Sequence, residues 1–153
     1  MCYWEYLVYL IEHKWNVGIE CIRRGMFWHA ITHDLSKFLP REFFAYANYF
    51  FGKNKSDKVK EKFSVAWNYH QKTNKHHWNY WVCIDSQTMP IPMPKKYVKQ
   101  MVCDWRGMSR KFGDTALEYF IMNQPVMRLH EDTVRLILKE LHVPDKNLAR
   151  FYK

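Results

Sequence analysis

Five of the eight histidines in the sequence fall in an ordered series with two aspartates. In chain order the series is His13, His33, Asp34, His70, His76, His77 and Asp104. Imidazole and carboxylate ligands together suit zinc, iron, manganese or nickel, and one carboxylate can bridge two such ions. The four cysteines are far apart and include no Cys-x-x-Cys pair, which argues against a thiolate site and against a disulfide framework. The series therefore predicts a metal centre with nitrogen and oxygen ligands.

Two residues that follow the His33–Asp34 pair are candidates for catalysis alongside Asp34. Lys37 lies four residues after His33, so on a continuous helix its ammonium sits about one turn beyond the imidazole, where it can meet an anionic oxygen of a substrate. Glu42 is a candidate proton donor or hydrogen-bonding partner of a metal-binding imidazole. The helix dipole alone also favours a glutamate in a first helical turn, and we favour that simpler interpretation.

The other three histidines are expected to be structural. His29 has the spacing to share a helix face with His33, but we interpret it as a core residue packed beside Trp28. His130 and His142 follow the ligand series and have no partner at ligand spacing. All three are therefore left out of the predicted site.

Hydrophobic periodicity, together with residues that typically begin or end helices, divides the chain into seven predicted helices. Their expected ranges are 3–24, 26–39, 40–51, 60–73, 94–112, 114–123 and 131–141, and Asp114 is the expected N-cap of the sixth. Pro40 ends the second helix, because proline disfavours helical geometry in the residue before it, and Pro40 then begins the third. Residues 85–94 contain three prolines and are expected to form a loop. No pair of strands with a turn signal is visible, so the expected fold class is all-α.

We expect one domain, residues 1–153, folded as a bundle of six or seven helices, with the tail after Pro144 loosely held. The ligands then project from different helices into the interior of the bundle, as in other helical metalloproteins. His70 and His77 are seven residues apart, which on an unbroken helix is roughly 10 Å and too far for one ion. A helix break near Asn74 would let the two imidazoles converge.

Composition limits the class of protein. Of the 153 residues, 48% are hydrophobic and 25% charged, which excludes a disordered chain, and the longest apolar run, Tyr6 to Ile11, is too short to span a membrane. The N-terminus has no basic leader and no small-residue cleavage site, so we expect a cytoplasmic protein. Lysine and arginine outnumber aspartate and glutamate by 24 to 15, and the formal charge of +9 favours anionic partners such as nucleotides, other phosphate esters or nucleic acid.

The order His, His-Asp, His, His-His, Asp resembles the HD-domain superfamily of metal-dependent phosphohydrolases. The string HDLSK, residues 33–37, is closest to the branch named after its HD-GYP motif, with Ser36 where that branch has glycine and without the GYP segment. The resemblance covers residues 13–104. The strings AWNYHQKTNKHHWNYW and CDW also resemble a set of short, uncharacterised phage and bacterial proteins that carry no assigned activity.

The resemblance to the HD superfamily implies a fold, an activity and roles for the ligands. It implies a helical domain that binds two divalent transition-metal ions and hydrolyses a nucleotide or related phosphate ester. One ion would be bound by His13, His33, Asp34 and Asp104. Asp34 would bridge to a second ion bound by His70, His76 and His77, and Lys37 would bind the phosphoryl group.

Two other functions compete with a phosphohydrolase. A few members of the HD superfamily hold a mixed-valence di-iron centre and use oxygen to cleave C–H or C–P bonds, and the ligand series is compatible with iron. The positive charge alone would also suit a basic protein that binds nucleic acid without catalysis. Against that alternative, the basic residues within 95–111 are spread over several helix faces instead of forming one stripe.

Overall fold

α-Helices make up most of the part of the chain that the structure describes, residues 2–85, 88–144 and 151 of a computed structural model. The seven α-helices in these residues are α1 (Cys2–Ile22), α2 (Phe27–Thr32), α3 (Pro40–Phe51), α4 (Asp57–Thr73), α5 (Lys95–Phe112), α6 (Ala116–Asn123) and α7 (Glu131–Glu140). Short 3-10 turns cover Leu35–Phe38, Trp78–Trp81 and Gln124–Val126. The prediction of an all-α helical bundle is confirmed. No helix among the described residues has the length and apolar character needed to cross a bilayer.

Helix α1 packs against α2, α3 and α5. Its buried side chains recur at helical spacing and place His13 on the inner face between Leu10 and Val17. Helix α5 comes unusually close to it at Gly107, where an added Cβ would lie 2.5 Å from Cγ2 of Val17. This close approach brings the inner face of α1 next to α5, which carries Asp104 one turn before Gly107.

Two large apolar clusters hold the helices in place. One joins α5, α6 and α7 and includes Val98, Met101, Phe120, Ile137 and Leu138. The other joins α1, α3 and α4 and includes Tyr6, Leu10, Tyr46, Ala47 and Ala66. Because α1 and α5 also pack directly on each other, the segments that carry the predicted ligands are held by packing on several sides.

The prediction of one continuous helix over residues 26–39 is wrong. Helix α2 ends at Thr32, His33 is its C-terminal cap, and Asp34 has a left-handed backbone with φ of 54°. Aspartate is among the few residues besides glycine that adopt this conformation readily, because its short side chain can bond to the local backbone. His33 and Lys37 therefore do not share the face of one α-helix, as the spacing had suggested.

Other element boundaries differ in smaller ways. A short antiparallel hairpin pairs β1 (Val82–Ile84) with β2 (Thr88–Pro90), so the expected absence of strands is wrong and residues 85–94 are not entirely loop. Helix α4 begins at Asp57, and α6 is capped by Thr115 with Glu118 in a reciprocal capping box instead of by Asp114. The expected break at Asn74 is confirmed, since Asn74 is the C-cap of α4. The tail after Pro144, apart from residue 151, lies outside the described residues.

Candidate metal centre

The first set of predicted ligands, here called the His13 group, consists of His13, His33, Asp104 and the Oδ2 atom of Asp34. His13 lies on α1, His33 and Asp34 follow α2, and Asp104 lies on α5. Nε2 of His13 is 3.2 Å from Nε2 of His33 and 3.4 Å from Oδ1 of Asp104. Oδ2 of Asp34 is 3.4 Å from Nε2 of both histidines. Four side chains from three separate segments thus direct their ligand atoms to one point.

The second set, here called the His70 group, consists of His70, His76, His77 and the Oδ1 atom of Asp34. Oδ1 of Asp34 lies 3.3 Å from Nε2 of His70 and 3.3 Å from Nε2 of His76. The ring centres of His70 and His77 are 4.8 Å apart. The two imidazoles converge because α4 stops at Asn74, which turns the chain back before His76 and His77.

The spacing of these atoms fits metal coordination. Two ligands about 2.1 Å from one ion lie roughly 3.0 Å apart in an octahedron and roughly 3.4 Å apart in a tetrahedron. In the His13 group the two imidazole Nε2 atoms are 3.2 Å apart, and each lies 3.4–3.6 Å from the carboxylate oxygens of Asp34 and Asp104. Several ligand atoms are also buried without a hydrogen-bond partner, among them Oδ1 of Asp34, Oδ1 of Asp104 and Nε2 of His70, His76 and His77. Buried polar atoms of this kind require a partner, and a metal ion supplies one.

The protonation states implied by the surroundings also suit a metal. Burial lowers the pKa of His33 to about 4, although Asp34 and Asp104 oppose the shift. Burial raises the pKa of the Asp34 carboxyl, but the charges of His33 and Lys37 outweigh it and hold that pKa well below its usual range. The pKa of Asp104 is likewise lowered, because contacts with His33 and His13 outweigh its burial. A neutral imidazole between ionised carboxylates is the state that binds a metal cation.

Glu42 supports one of the ligands directly. Its Oε2 atom accepts a hydrogen bond from Nδ1 of His70 over 2.8 Å, and both side chains are buried. This bond orients the ring so that Nε2 faces Asp34. Carboxylates that hold the far nitrogen of a ligand histidine commonly fix its tautomer and raise its basicity. The simpler interpretation of Glu42 as a first-turn residue that serves the helix dipole is therefore inadequate.

Lys37 lies at the edge of the centre, although His33 and Lys37 are not on one continuous helix as predicted. It belongs to the 3-10 turn after Asp34, and its ammonium is 2.6 Å from Oδ2 of Asp34. Burial lowers the pKa of Lys37, but the nearby Asp34 and Asp104 carboxylates raise it more, so the ammonium stays charged. Lys37 thus places a positive charge beside the His13 group.

A cavity of about 310 Å³ opens onto this side of the centre. Its lining includes the ligands His13, His77 and Asp104, and Lys37 is the one lysine or arginine among the described residues that line it. Most of the other walls are aromatic or aliphatic, namely Tyr6, Tyr9, Leu10, Tyr46, Phe50, Phe63, Trp67, Trp78, Met101, Trp105, Met108, Phe112 and Tyr119. The arrangement provides a largely apolar chamber with a single cation beside the ligands.

His29 is closer to the centre than expected. Its ring centre is 5.2 Å from that of His33 and 5.5 Å from that of His76, and its Nε2 atom is buried without a partner. These three histidines form a further group whose ligand atoms lie within 4.8 Å of one another. The sequence signal for this position is the spacing of four residues between His29 and His33, which is the spacing of neighbours on one helix face. His130 caps α7, in agreement with a structural role.

The fold and the site together define an all-α protein with a buried histidine and aspartate cluster that can hold metal. Comparison with known proteins adds a family: the chain belongs to a family of unknown function, DUF5662, whose model matches residues 2–142. No curated protein and no solved structure matches the chain. The matched range contains every ligand of the His13 and His70 groups.

Proposed function

We propose that this protein is a phosphohydrolase that uses two divalent transition-metal ions. The observation that carries the proposal is the position of Asp34. Its Oδ2 atom faces His13 and His33, and its Oδ1 atom faces His70 and His76, so one carboxylate serves two separate ligand sets. A bridging carboxylate between two histidine-rich sets is the arrangement expected for a pair of closely spaced ions.

Each group around the centre would have its own role in such a reaction. A pair of bound metal ions would supply a nucleophilic hydroxide at neutral pH and neutralise charge on the phosphoryl group. Lys37 would bind a phosphoryl oxygen, since it is a charged ammonium on the wall of the cavity beside the ligands. Glu42 would keep His70 in its ligand orientation through their hydrogen bond. The apolar walls would limit the access of bulk water to the reacting group.

The cavity suggests the class of substrate. A pocket of about 310 Å³ is at the small end of the range for ligand sites, and its aromatic walls suit a planar organic group. A single lysine beside the ligands suits one phosphoryl group. The substrate we propose is therefore a small phosphate ester, with a nucleotide as the first class to test.

The proposal is tested by metal content and phosphate release in the same preparations. Wild-type protein should contain close to two transition-metal ions per chain and should release phosphate from a small ester. Asp34→Ala should hold substantially fewer ions and lose activity, because both ligand groups share Asp34. Asp57→Ala removes an exposed carboxylate at the start of α4 and should match the wild type. Wild-type protein without bound metal after loading with manganese, iron, nickel or zinc would refute the proposal.

The ligand set itself favours a second candidate function. Five imidazoles accompany two carboxylates in the two groups, and such a nitrogen-rich set also suits iron. An iron-dependent oxygenase that acts on an anionic phosphorus compound would use the same ligands and the same lysine. Oxygen consumption by iron-loaded protein, without phosphate release from esters by manganese-loaded or nickel-loaded protein, would favour the oxygenase.

A further inference from the structure

The outer face of α1 carries a regular row of exposed apolar side chains, here called the α1 seam. Its members are Trp4, Val8, Ile11, Trp15 and Ile22, which are 70%, 48%, 55%, 70% and 53% exposed. Scattered apolar residues are normal on a protein surface, but a continuous row on one helix face is not. The row therefore needs a partner.

The spacing of the seam indicates what kind of partner it fits. The steps between successive positions are four, three and four residues, and Gly18 continues the same alternation before Ile22. Alternating steps of three and four give the 3.5-residue repeat of a helix that pairs with another helix in a left-handed coiled coil. A lipid surface imposes no such repeat, because a wider apolar face suffices there. The seam thus fits a second helix lying along α1.

The seam is complementary to itself. If two copies of α1 cross antiparallel with their centres near residue 13, Trp4 lies opposite Ile22, Val8 opposite Gly18, and Ile11 opposite Trp15. Each layer then pairs a larger residue with a smaller one, as interdigitating helix packing requires. Glu12 lies near the centre of this pairing, and its charge is already matched by Lys111 of its own chain.

The surface beside the seam is apolar as well. The Lys14 side chain bonds the carbonyl groups of Ile31 and His33, which places the end of α2 alongside the seam. On α2, Phe27, Trp28 and Ile31 are each more than 60% exposed. The three exposed tryptophans of the two helices alone present about 500 Å². With the other side chains the patch approaches the roughly 800 Å² that each partner buries in a stable complex.

We propose that the α1 seam is the interface of a homodimer, in which a second copy of this chain packs its own α1 antiparallel against the first. The inner face of α1 carries His13 and the outer face carries the seam, so the dimer leaves the metal centre and its cavity free. The proposal is independent of the reaction that the centre catalyses.

The test is the mass of the protein in solution, measured by sedimentation equilibrium between about 5 and 50 μM. Wild-type protein should have twice the chain mass of 18.8 kDa. The double variant Trp4→Glu and Trp15→Glu should sediment as a monomer, with dimer affinity at least 100-fold lower, because four carboxylates would enter one apolar interface. Met122→Glu is the matched control, since Met122 is 77% exposed on α6, away from the seam, and this variant should remain dimeric.

Helical circular dichroism and metal content of the double variant should equal those of the wild type, which separates loss of pairing from loss of folding. A wild-type protein that is monomeric at 50 μM would overturn the proposal. So would a double variant that remains dimeric. A monomeric wild type that binds anionic phospholipid vesicles, with binding lost in the double variant, would overturn it in favour of a membrane surface.

Discussion

Glu42→Gln should weaken metal binding by the His70 group and leave the His13 group largely intact. The substitution keeps the shape of the side chain and removes the charge that faces Nδ1 of His70 over 2.8 Å. Both side chains are at most 1% exposed, so water cannot replace the lost interaction. A hydrogen bond to a charged group is worth about 1.5–3 kcal/mol, which corresponds to roughly 10- to 150-fold in affinity. Residues that support metal ligands typically change metal affinity by about 10- to 100-fold, in agreement with this value.

The assay is elemental analysis after dialysis against buffers of defined free zinc or manganese. Over at least about a tenfold range of free metal concentration, Glu42→Gln should hold close to one ion per chain while the wild type holds two. Glu61→Gln removes an exposed carboxylate from α4 and should behave as the wild type. Equal loss of both ions would refute the reasoning, since it would mean that Glu42 supports the fold and not one ligand. Unchanged binding of both ions would refute it as well.

Two further predictions concern the helices around the centre. Gly107→Ala should lower the free energy of unfolding by about 1–3 kcal/mol and weaken metal binding by the His13 group, because the new Cβ meets Val17 on α1. Urea denaturation with and without metal will show both effects, and a Gly107→Ala variant as stable as the wild type would contradict the close approach of the two helices. Burial raises the pKa of Glu20, but hydrogen bonds from two arginines outweigh it and hold that pKa below its ordinary value of 4.5. Glu20 therefore stabilises the fold above that value, and this contribution is lost as the pH falls through the lower, folded-state pKa. Glu20→Gln should cost about 1–3 kcal/mol at pH 7 and much less at pH 3, and a loss of equal size at both pH values would contradict the assignment.

The helical part of the fold was largely predictable because its signals are local. Proline at the first position of α3 and the glycine after its end define that helix within the sequence. The capping box of α6 is also visible in the sequence, as threonine followed three residues later by glutamate, but Asp114 just before it is an equally suitable N-cap by residue type. The end of α2 was not predictable. Neither glycine nor proline marks it, and the left-handed backbone of Asp34 occurs where the chain turns to bring two neighbouring ligands into the cluster.

The candidate ligands were predictable from residue type and order, and Glu42 was a candidate partner of a ligand imidazole, but which imidazole it supports was not predictable. Glu42 looks like an ordinary first-turn glutamate until the packing of α3 on α4 places it beside His70. His29 looks like a core residue because the turn that brings His76 next to it lies more than forty positions later. Contacts between distant segments depend on how helices pack, and no local pattern in the chain encodes them.

The ligands of the two groups come from four stretches of chain that are far apart in sequence, so bound ions would cross-link these stretches. His13 on α1 and Asp104 on α5 are far apart in the sequence and meet at the centre. Closing such long loops is entropically costly, and ions that bind the closed form offset the cost. Bound ions would then add to the direct packing of α1 on α5, and removal of the ions should make the chain more sensitive to proteases.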